Sequence, residues 1–143
     1  MIAIDTNVLV QAHRRDAVWH EAAARAVADA LQGAEAVLLP WPCLHEFVAV
    51  VTARIYDPPS TLAQALAQLD AWLASPVVTV RGEGPDHLDL LRALAVKGKV
   101  SGARIHDARV AAICLGHGAR ELLTADRDFS RFPGLVTRNP LIV

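Results

Sequence analysis

The sequence has little of the features that would assign it to a special class of protein. Of its 143 residues only two are cysteines, aromatic residues make up 5%, and the formal net charge is −1. A near-zero charge excludes nucleic-acid binding through bulk positive charge, so any contact with nucleic acid requires a local basic patch. No apolar run approaches the roughly 20 residues that cross a bilayer, which predicts a protein without a membrane span.

Apolar residues, in contrast, are abundant and make up 53% of the chain. This fraction excludes a disordered chain and is enough for a hydrophobic core. The length predicts one domain over residues 1–143. The N-terminus lacks a basic segment followed by a long apolar one, so we expect no signal peptide. Two cysteines without a CxxC pair indicate reduced, buried thiols and a cytoplasmic protein.

Short apolar segments alternate with helical patterns along the chain. Strands are predicted at residues 2–4, 37–39, 77–80 and 122–124, with a weaker one at 135–137. Helices are predicted at residues 19–31, 42–55, 62–73, 88–95 and 105–115, a further helix starts at 5–7, Ser60 caps the helix at 62–73, and 97–104 is a loop. Apolar strands alternating with helices predict an α/β fold, a three-layer sandwich with a central, mainly parallel sheet of four or five strands.

Four acidic residues are expected at one edge of this sheet. Asp5 follows the first predicted strand and Asp126 follows the fourth, whereas Glu46 and Asp107 lie near the starts of helices. Strand ends and helix starts share the carboxyl edge of a parallel sheet, where ligands bind. Each acid also has a purely structural explanation: Asp5 and Asp107 as helix caps, Asp126 as a turn residue, and Glu46 as a solvent-exposed helix position.

Converging carboxylates predict a metal site. Like charges a few ångströms apart raise each other's pKa, and a divalent cation removes this repulsion. Oxygen ligands favour Mg²⁺ or Mn²⁺, which supports metal-assisted cleavage of phosphodiester bonds. Thr6, Asn7 and Thr124 lie beside the acids in the sequence and are predicted to orient water molecules or metal ligands.

Four blocks of sequence occur in an order that is typical of one family. They are Ile-Asp-Thr-Asn-Val-Leu-Val at 4–10, Pro-Cys-Leu-His-Glu-Phe at 42–47, His-Asp-Ala-Arg-Val-Ala-Ala at 106–112 and Leu-Thr-Ala-Asp-Arg-Asp-Phe at 123–129. These blocks resemble the PIN domain, and more closely the VapC ribonuclease toxins of bacterial type II toxin–antitoxin pairs. The similarity extends over residues 1–141.

The resemblance implies a single PIN-like nuclease domain with Mg²⁺- or Mn²⁺-dependent endoribonuclease activity. Its catalytic acids would be Asp5, Glu46, Asp107 and Asp126; the metal ligands among them would be Asp5, Asp107 and Asp126, with Glu46 binding directly or through water. Thr124 would line the pocket and Asp128 would support the ligands. Either Glu46 or Asp5 would accept a proton from the attacking water. The resemblance further implies a homodimer and a VapB-type antitoxin whose C-terminal segment covers the site.

Basic residues near these blocks are candidates for contacts with RNA phosphates. The candidates are Lys97, Lys99, Arg104, Arg109 and Arg127. Ordinary solvent-exposed charges are the alternative explanation for each of them.

Other classes of protein share some of these sequence features. A housekeeping RNA-processing nuclease and a non-catalytic RNA-binding PIN module fit the same motifs. A receiver-like signalling domain needs an acidic pair early in the chain and a late lysine, but no lysine follows Lys99. A haloacid-dehalogenase-type phosphatase needs Asp-x-Asp, but Asn7 occupies the second position.

Overall fold

The structure is a computed structural model and describes residues 1–142. Its sheet has five strands, all parallel, in the order β3-β2-β1-β4-β5. The strands are β1 (Ile2–Ile4), β2 (Val37–Pro40), β3 (Val78–Arg81), β4 (Glu121–Leu123) and β5 (Thr137–Arg138). The predicted α/β class is therefore confirmed, and the weak fifth strand is present.

Six α-helices cover the sheet. They are α1 (Thr6–His13), α2 (His20–Gln32), α3 (Trp41–Val51), α4 (Leu62–Leu73), α5 (His87–Gly98) and α6 (Ile105–Gly116), with short 3₁₀ helices at Gly102–Arg104 and Arg127–Arg131. Among residues 1–142, none of these helices is long and apolar enough to cross a membrane.

The core consists of two apolar clusters, one on each face of the sheet. Successive side chains of a strand point to opposite faces, so Ile2 and Ile4 of β1 join one cluster while Ala3 joins the other. The first cluster contains Phe47 of α3, and the second contains the buried face of α6. Both faces of the sheet are thus covered, which gives the three layers that the alternating pattern predicts.

The structure corrects several predicted boundaries. The helix predicted to reach residue 55 ends at Val51, and residues 52–61 form a connection. The cap of α4 is Thr61, whose side chain forms a reciprocal capping box with Gln64. The prediction that Ser60 caps α4 is wrong, because its hydroxyl is buried and pairs with the His13 ring at 2.9 Å. Part of the predicted loop 97–104 belongs to α5, which ends at Gly98.

Gly98 brings the end of α5 against the 3₁₀ helix that follows β4. A Cβ atom at this position would lie 3.1 Å from the ring of Phe132, which is buried. A side chain here would push on a packed aromatic ring, so the small residue permits the close approach. The end of α5 therefore packs closely against Phe132, the residue that follows the 3₁₀ helix.

Candidate active site

The carboxyl edge of the sheet borders a cavity of about 320 Å³. The four acids predicted from the sequence all line it: Asp5, Glu46, Asp107 and Asp126. Asp5 follows β1 and caps α1, and Asp126 follows β4. Asp107 lies in the first turn of α6, whereas Glu46 lies in the middle of α3 and not near its start as the sequence predicted. The structure therefore brings together four side chains that are far apart in the sequence.

Asp5 is a buried carboxylate whose two oxygens both accept hydrogen bonds. Oδ1 accepts from the backbone N–H of Thr6 at 2.8 Å and lies 3.6 Å from the Cys43 thiol, a weak donor. Oδ2 accepts from the Thr124 hydroxyl at 2.8 Å and from the Asn7 side-chain amide at 3.1 Å. These donors hold the side chain in one orientation.

Thr124 and Asn7 connect Asp5 to the turn that carries Asp126. The Thr124 hydroxyl has one proton, which it donates to Asp5, so its oxygen is the acceptor for the Asp126 N–H at 3.0 Å. Asn7 accepts from the N–H of Ala125 at 3.1 Å. Thr124 and Asn7, two of the three residues predicted to orient water molecules or metal ligands, therefore connect the turn after β4 to Asp5 at the end of β1.

Burial raises the pKa of the Asp5 carboxyl from 3.8 to about 6. The hydrogen bonds from Thr124 and from the Thr6 backbone lower this pKa, whereas the negative charge of Glu46 raises it further. The raised pKa means that ionisation of Asp5 is less favourable here than in water, and a positive charge in the cavity would favour it.

A second group of carboxylates lies between the start of α6 and the turn after β4. Asp107, Asp126 and Asp128 each offer one oxygen, and these oxygens lie within 4.8 Å of one another. The Asp128 N–H donates to Asp126 Oδ1 at 2.8 Å. Desolvation raises the pKa of Asp107, and the charges of Asp126 and Asp128 raise it further. Asp128, expected only to support the ligands, therefore belongs to the group of carboxylates that lie close to one another.

Glu46 faces the cavity from α3 and is exposed, unlike Asp5. Its Oε2 atom accepts from the Thr6 hydroxyl at 3.2 Å. Among the hydrogen bonds of residues 1–142, none reaches its Oε1 atom. One oxygen of Glu46 is therefore available to a molecule in the cavity, and Thr6 connects this residue to Asp5.

The donor chemistry fits a divalent cation that prefers oxygen ligands. The closely spaced group contains carboxylate oxygens alone, without a sulfur or imidazole ligand. Such a set favours Mg²⁺ or Mn²⁺ over Zn²⁺. Burial is the main cause of the raised pKa values of Asp5 and Asp107, and repulsion from neighbouring carboxylates, which a cation would offset, raises both pKa values further.

The candidate RNA-contacting residues differ in whether an acidic side chain pairs with them. Arg104 forms an ion pair with Asp128 of the carboxylate group, and Arg109 forms one with Glu83 at 2.7 Å. Within residues 1–142, Lys97, Lys99 and Arg127 form no ion pair. None of these five described side chains lines the cavity, and their contact with RNA stays a prediction.

Sequence reasoning missed four of the polar residues of the site, besides its apolar lining. Gln11, Tyr56 and His106 line the cavity, and the thiol of Cys43 contacts Asp5. Cys43 was expected to be a buried apolar residue; it is buried, but it also donates to a carboxylate. Tyr56 lies in a connection without periodic pattern, so no sequence signal marked it. For Gln11, the predicted site residue Asn7 was a usable signal, because Gln11 follows it by four residues on α1 and residues four apart share a helix face.

Fold and site together define a class: a parallel α/β sandwich with converging carboxylates at the carboxyl edge of its sheet. The model of the PIN domain family matches residues 2–135. Ribonuclease VapC31 of Mycobacterium tuberculosis is 36% identical over 133 residues, which cover 92% of this chain and 93% of the relative. Ribonuclease VapC43 of the same species is 38% identical over 143 residues, which cover 99% and 96%. The chain therefore belongs to the PIN-domain family, among the VapC proteins.

Solved structures show the same fold at low sequence identity. The complex VapBC2 from Rickettsia felis, bound to a DNA fragment from its promoter, contains a chain with a TM-score of 0.72 and 17% identity, covering 97% of this chain and 98% of that one. VapC20 of Mycobacterium tuberculosis, described as a sarcin–ricin loop cleaving toxin, has a TM-score of 0.70 and 20% identity, covering 94% and 98%.

Proposed function

We propose that this protein is a metal-dependent endoribonuclease and the toxin of a VapBC-type toxin–antitoxin pair. The observation that carries the proposal is the convergence of Asp5, Glu46, Asp107 and Asp126 on one cavity. It is supported by relatives of nearly the same length that are named ribonucleases. We further propose that residues 1–143 act as one nuclease domain in the cytoplasm, where its RNA substrate is found.

The metal would be Mg²⁺ or Mn²⁺, held by Asp5, Asp107 and Asp126 as predicted from the sequence, with Asp128 as a further ligand. The close approach of Asp107, Asp126 and Asp128 oxygens supports the inclusion of Asp128. When bound, such an ion lowers the pKa of a coordinated water and stabilises negative charge on a phosphoryl oxygen.

Glu46 is the better candidate for the group that accepts a proton from the attacking water. Both oxygens of Asp5 already accept hydrogen bonds, whereas Glu46 Oε1 accepts none from residues 1–142. A general base needs an oxygen within hydrogen-bond reach of the proton that it removes. Asp5 would instead serve as a metal ligand whose orientation is held by its hydrogen bonds from Thr6, Asn7 and Thr124.

Purified protein should cleave single-stranded RNA in the presence of Mg²⁺ or Mn²⁺, and excess EDTA should stop cleavage. Mapping of new 5′ ends after brief expression in cells would identify the substrate. The Asp5→Asn protein serves as control for contaminating nuclease. Binding of RNA without cleavage, under any divalent cation, would favour a non-catalytic RNA-binding module instead.

The toxin role implies a VapB-type antitoxin that binds over the cavity, and a homodimer. Related folds occur in a toxin–antitoxin complex from Klebsiella pneumoniae, with a TM-score of 0.64. Expression of this chain alone should arrest growth, and co-expression with an antitoxin encoded beside it should restore growth. RNA cleavage without growth arrest would favour a housekeeping RNA-processing nuclease. Light scattering of the purified chain would test the homodimer.

A further inference from the structure

The cavity has a charged end and an apolar end. On α3, Glu46 is followed one turn later by Val50, and on α6, Asp107 is followed by Val110; all four line the cavity. Val10 of α1 adds a third aliphatic side chain. Residues one turn apart lie about 5.4 Å apart along a helix, so the apolar end begins one turn away from the carboxylates.

Two aromatic side chains complete the apolar end, Tyr56 from the connection after α3 and Phe129 from the 3₁₀ helix after Asp126. The guanidinium of Arg14 lies 4.4 Å from the centroid of the Tyr56 ring. Arg14 does not line the cavity, so this contact holds the Tyr56 ring from outside the lining. Two hydrogen bonds to Asp16, at 2.9 and 2.7 Å, fix the guanidinium.

One polar side chain of the lining, Gln11, has a determined amide orientation. Gln11 lines the cavity, and its Oε1 atom accepts the backbone N–H of Trp19 at 2.9 Å. Because a backbone N–H can only donate, the amide orientation is determined and Nε2 is the free end. In the hydrogen bonds of residues 1–142, this Nε2 donates to no acceptor. Gln11 therefore offers N–H donors to a ligand.

From these features we infer that the apolar end is a subsite for one nucleobase, that of a nucleotide adjacent to the scissile phosphate of single-stranded RNA. This inference rests on the proposed function. A base is planar, uncharged and rich in hydrogen-bond acceptors, which matches aliphatic walls, a supported aromatic ring and a fixed amide donor. Unpaired RNA bases are bound by stacking on aromatic side chains. One helical turn separates this subsite from the carboxylates, so phosphate and base of one nucleotide reach both ends.

The test compares RNA substrates that differ in a single base. After the cut is mapped on a single-stranded oligoribonucleotide, the same oligonucleotide is synthesised with an abasic residue immediately 5′ or 3′ of the cut. Stacking on an aromatic residue contributes about 1–3 kcal/mol per base, so Tyr56→Leu should lower kcat/KM on intact RNA by about tenfold, mainly through KM. On the RNA that lacks the bound base, wild type and Tyr56→Leu should cleave equally well.

Two variants control for indirect effects. Tyr56→Phe keeps the ring and should retain wild-type kcat/KM on intact RNA. Trp41 is an exposed aromatic residue outside the cavity. Trp41→Ala should therefore not change the ratio of the cleavage rates of intact and abasic RNA. Thermal unfolding of each variant verifies that the fold persists.

Each outcome decides the inference. If Tyr56→Leu slows intact and abasic RNA equally, or slows neither, there is no base subsite at this position although the nuclease proposal stands. If it leaves cleavage unchanged but weakens inhibition by an antitoxin peptide, the apolar end binds a protein segment instead. Failure of the wild-type protein to cleave RNA with any divalent cation overturns the proposed function and this inference with it.

Discussion

Asp5 and the group of Asp107, Asp126 and Asp128 are carboxylates at the same edge of the sheet, but they have opposite surroundings. Asp5 is buried and accepts hydrogen bonds on both oxygens. The other three are partly exposed, and their oxygens lie within 4.8 Å of one another. Hydrogen-bond donors thus hold Asp5 in place, whereas the group of three depends on a counter-charge. The comparison teaches that the carboxylates of one site are held in place by different means.

The largest effect is expected for Asp5→Asn. The new amide places N–H donors opposite the donors that now serve the carboxylate, and the site loses a negative charge. Loss of a positioned catalytic group costs about 10²- to 10⁴-fold in rate, and we expect a loss of this size in RNA cleavage with a retained far-UV circular dichroism spectrum. Cleavage at the wild-type rate would show that Asp5 has no part in the chemistry.

The pH dependence of stability should separate the two kinds of carboxylate. The folded-state pKa of Asp5 is raised from 3.8 to about 6, so the folded protein binds the proton more tightly than the unfolded chain does. Its contribution therefore destabilises the metal-free protein as pH rises through this interval, and the full loss is present above pH 6. The resulting decrease in the free energy of unfolding is at most about 3 kcal/mol.

Denaturant unfolding of the metal-free protein at a series of pH values measures this dependence. In the Asp5→Asn variant the free energy of unfolding should vary less between the two pKa values than in the wild-type protein. An unchanged slope would mean that burial does not raise the pKa of Asp5, and the comparison with the exposed group would fail.

A smaller effect, on thermal stability, is expected for Asp107→Asn. The variant should be more stable than the wild-type protein without metal and less stable with it. Desolvation raises the pKa of Asp107, and repulsion from Asp126 and Asp128 raises it further. Removal of the charge should therefore raise the melting temperature of the metal-free protein by a few degrees at most, about 1 kcal/mol or less. Saturating Mn²⁺ should stabilise the wild-type protein more than this variant. Calorimetry with and without Mn²⁺ measures both effects, and Asp70→Asn on α4, outside the cavity, is the matched control.

The smallest effect, a modest change in Mn²⁺ affinity, is expected for Arg104→Gln. Arg104 pairs with Asp128, and its guanidinium competes with any cation for that carboxylate. An exposed ion pair contributes at most about 1 kcal/mol, so Mn²⁺ affinity should increase by no more than about fivefold. Arg109→Gln, which removes the pair with Glu83 instead, should leave Mn²⁺ affinity unchanged. Titration calorimetry distinguishes the two, and equal affinities in all three proteins would place Asp128 outside the metal site.

The fold was predictable because its signals are local. The alternation of apolar strands with helical patterns identified every strand and five of the six helices to within a few residues, and Asp5-Thr-Asn marked the start of α1. The boundaries that were wrong, at the end of α3 and at the cap of α4, depend on tertiary contacts. Ser60 pairs with His13 across the fold, and no local pattern predicts such a contact.

The sequence by itself determined the parallel α/β architecture and the edge at which its acids meet, because strand periodicity and the order of elements are local properties of the chain. Only the tertiary structure decided which acids touch. It placed Asp128 beside Asp107, surrounded Asp5 with donors that include Cys43, and brought Tyr56 from an irregular connection to the same cavity. Separations of a few ångströms between side chains depend on packing and on the course of connections, which no repeating pattern in the sequence encodes.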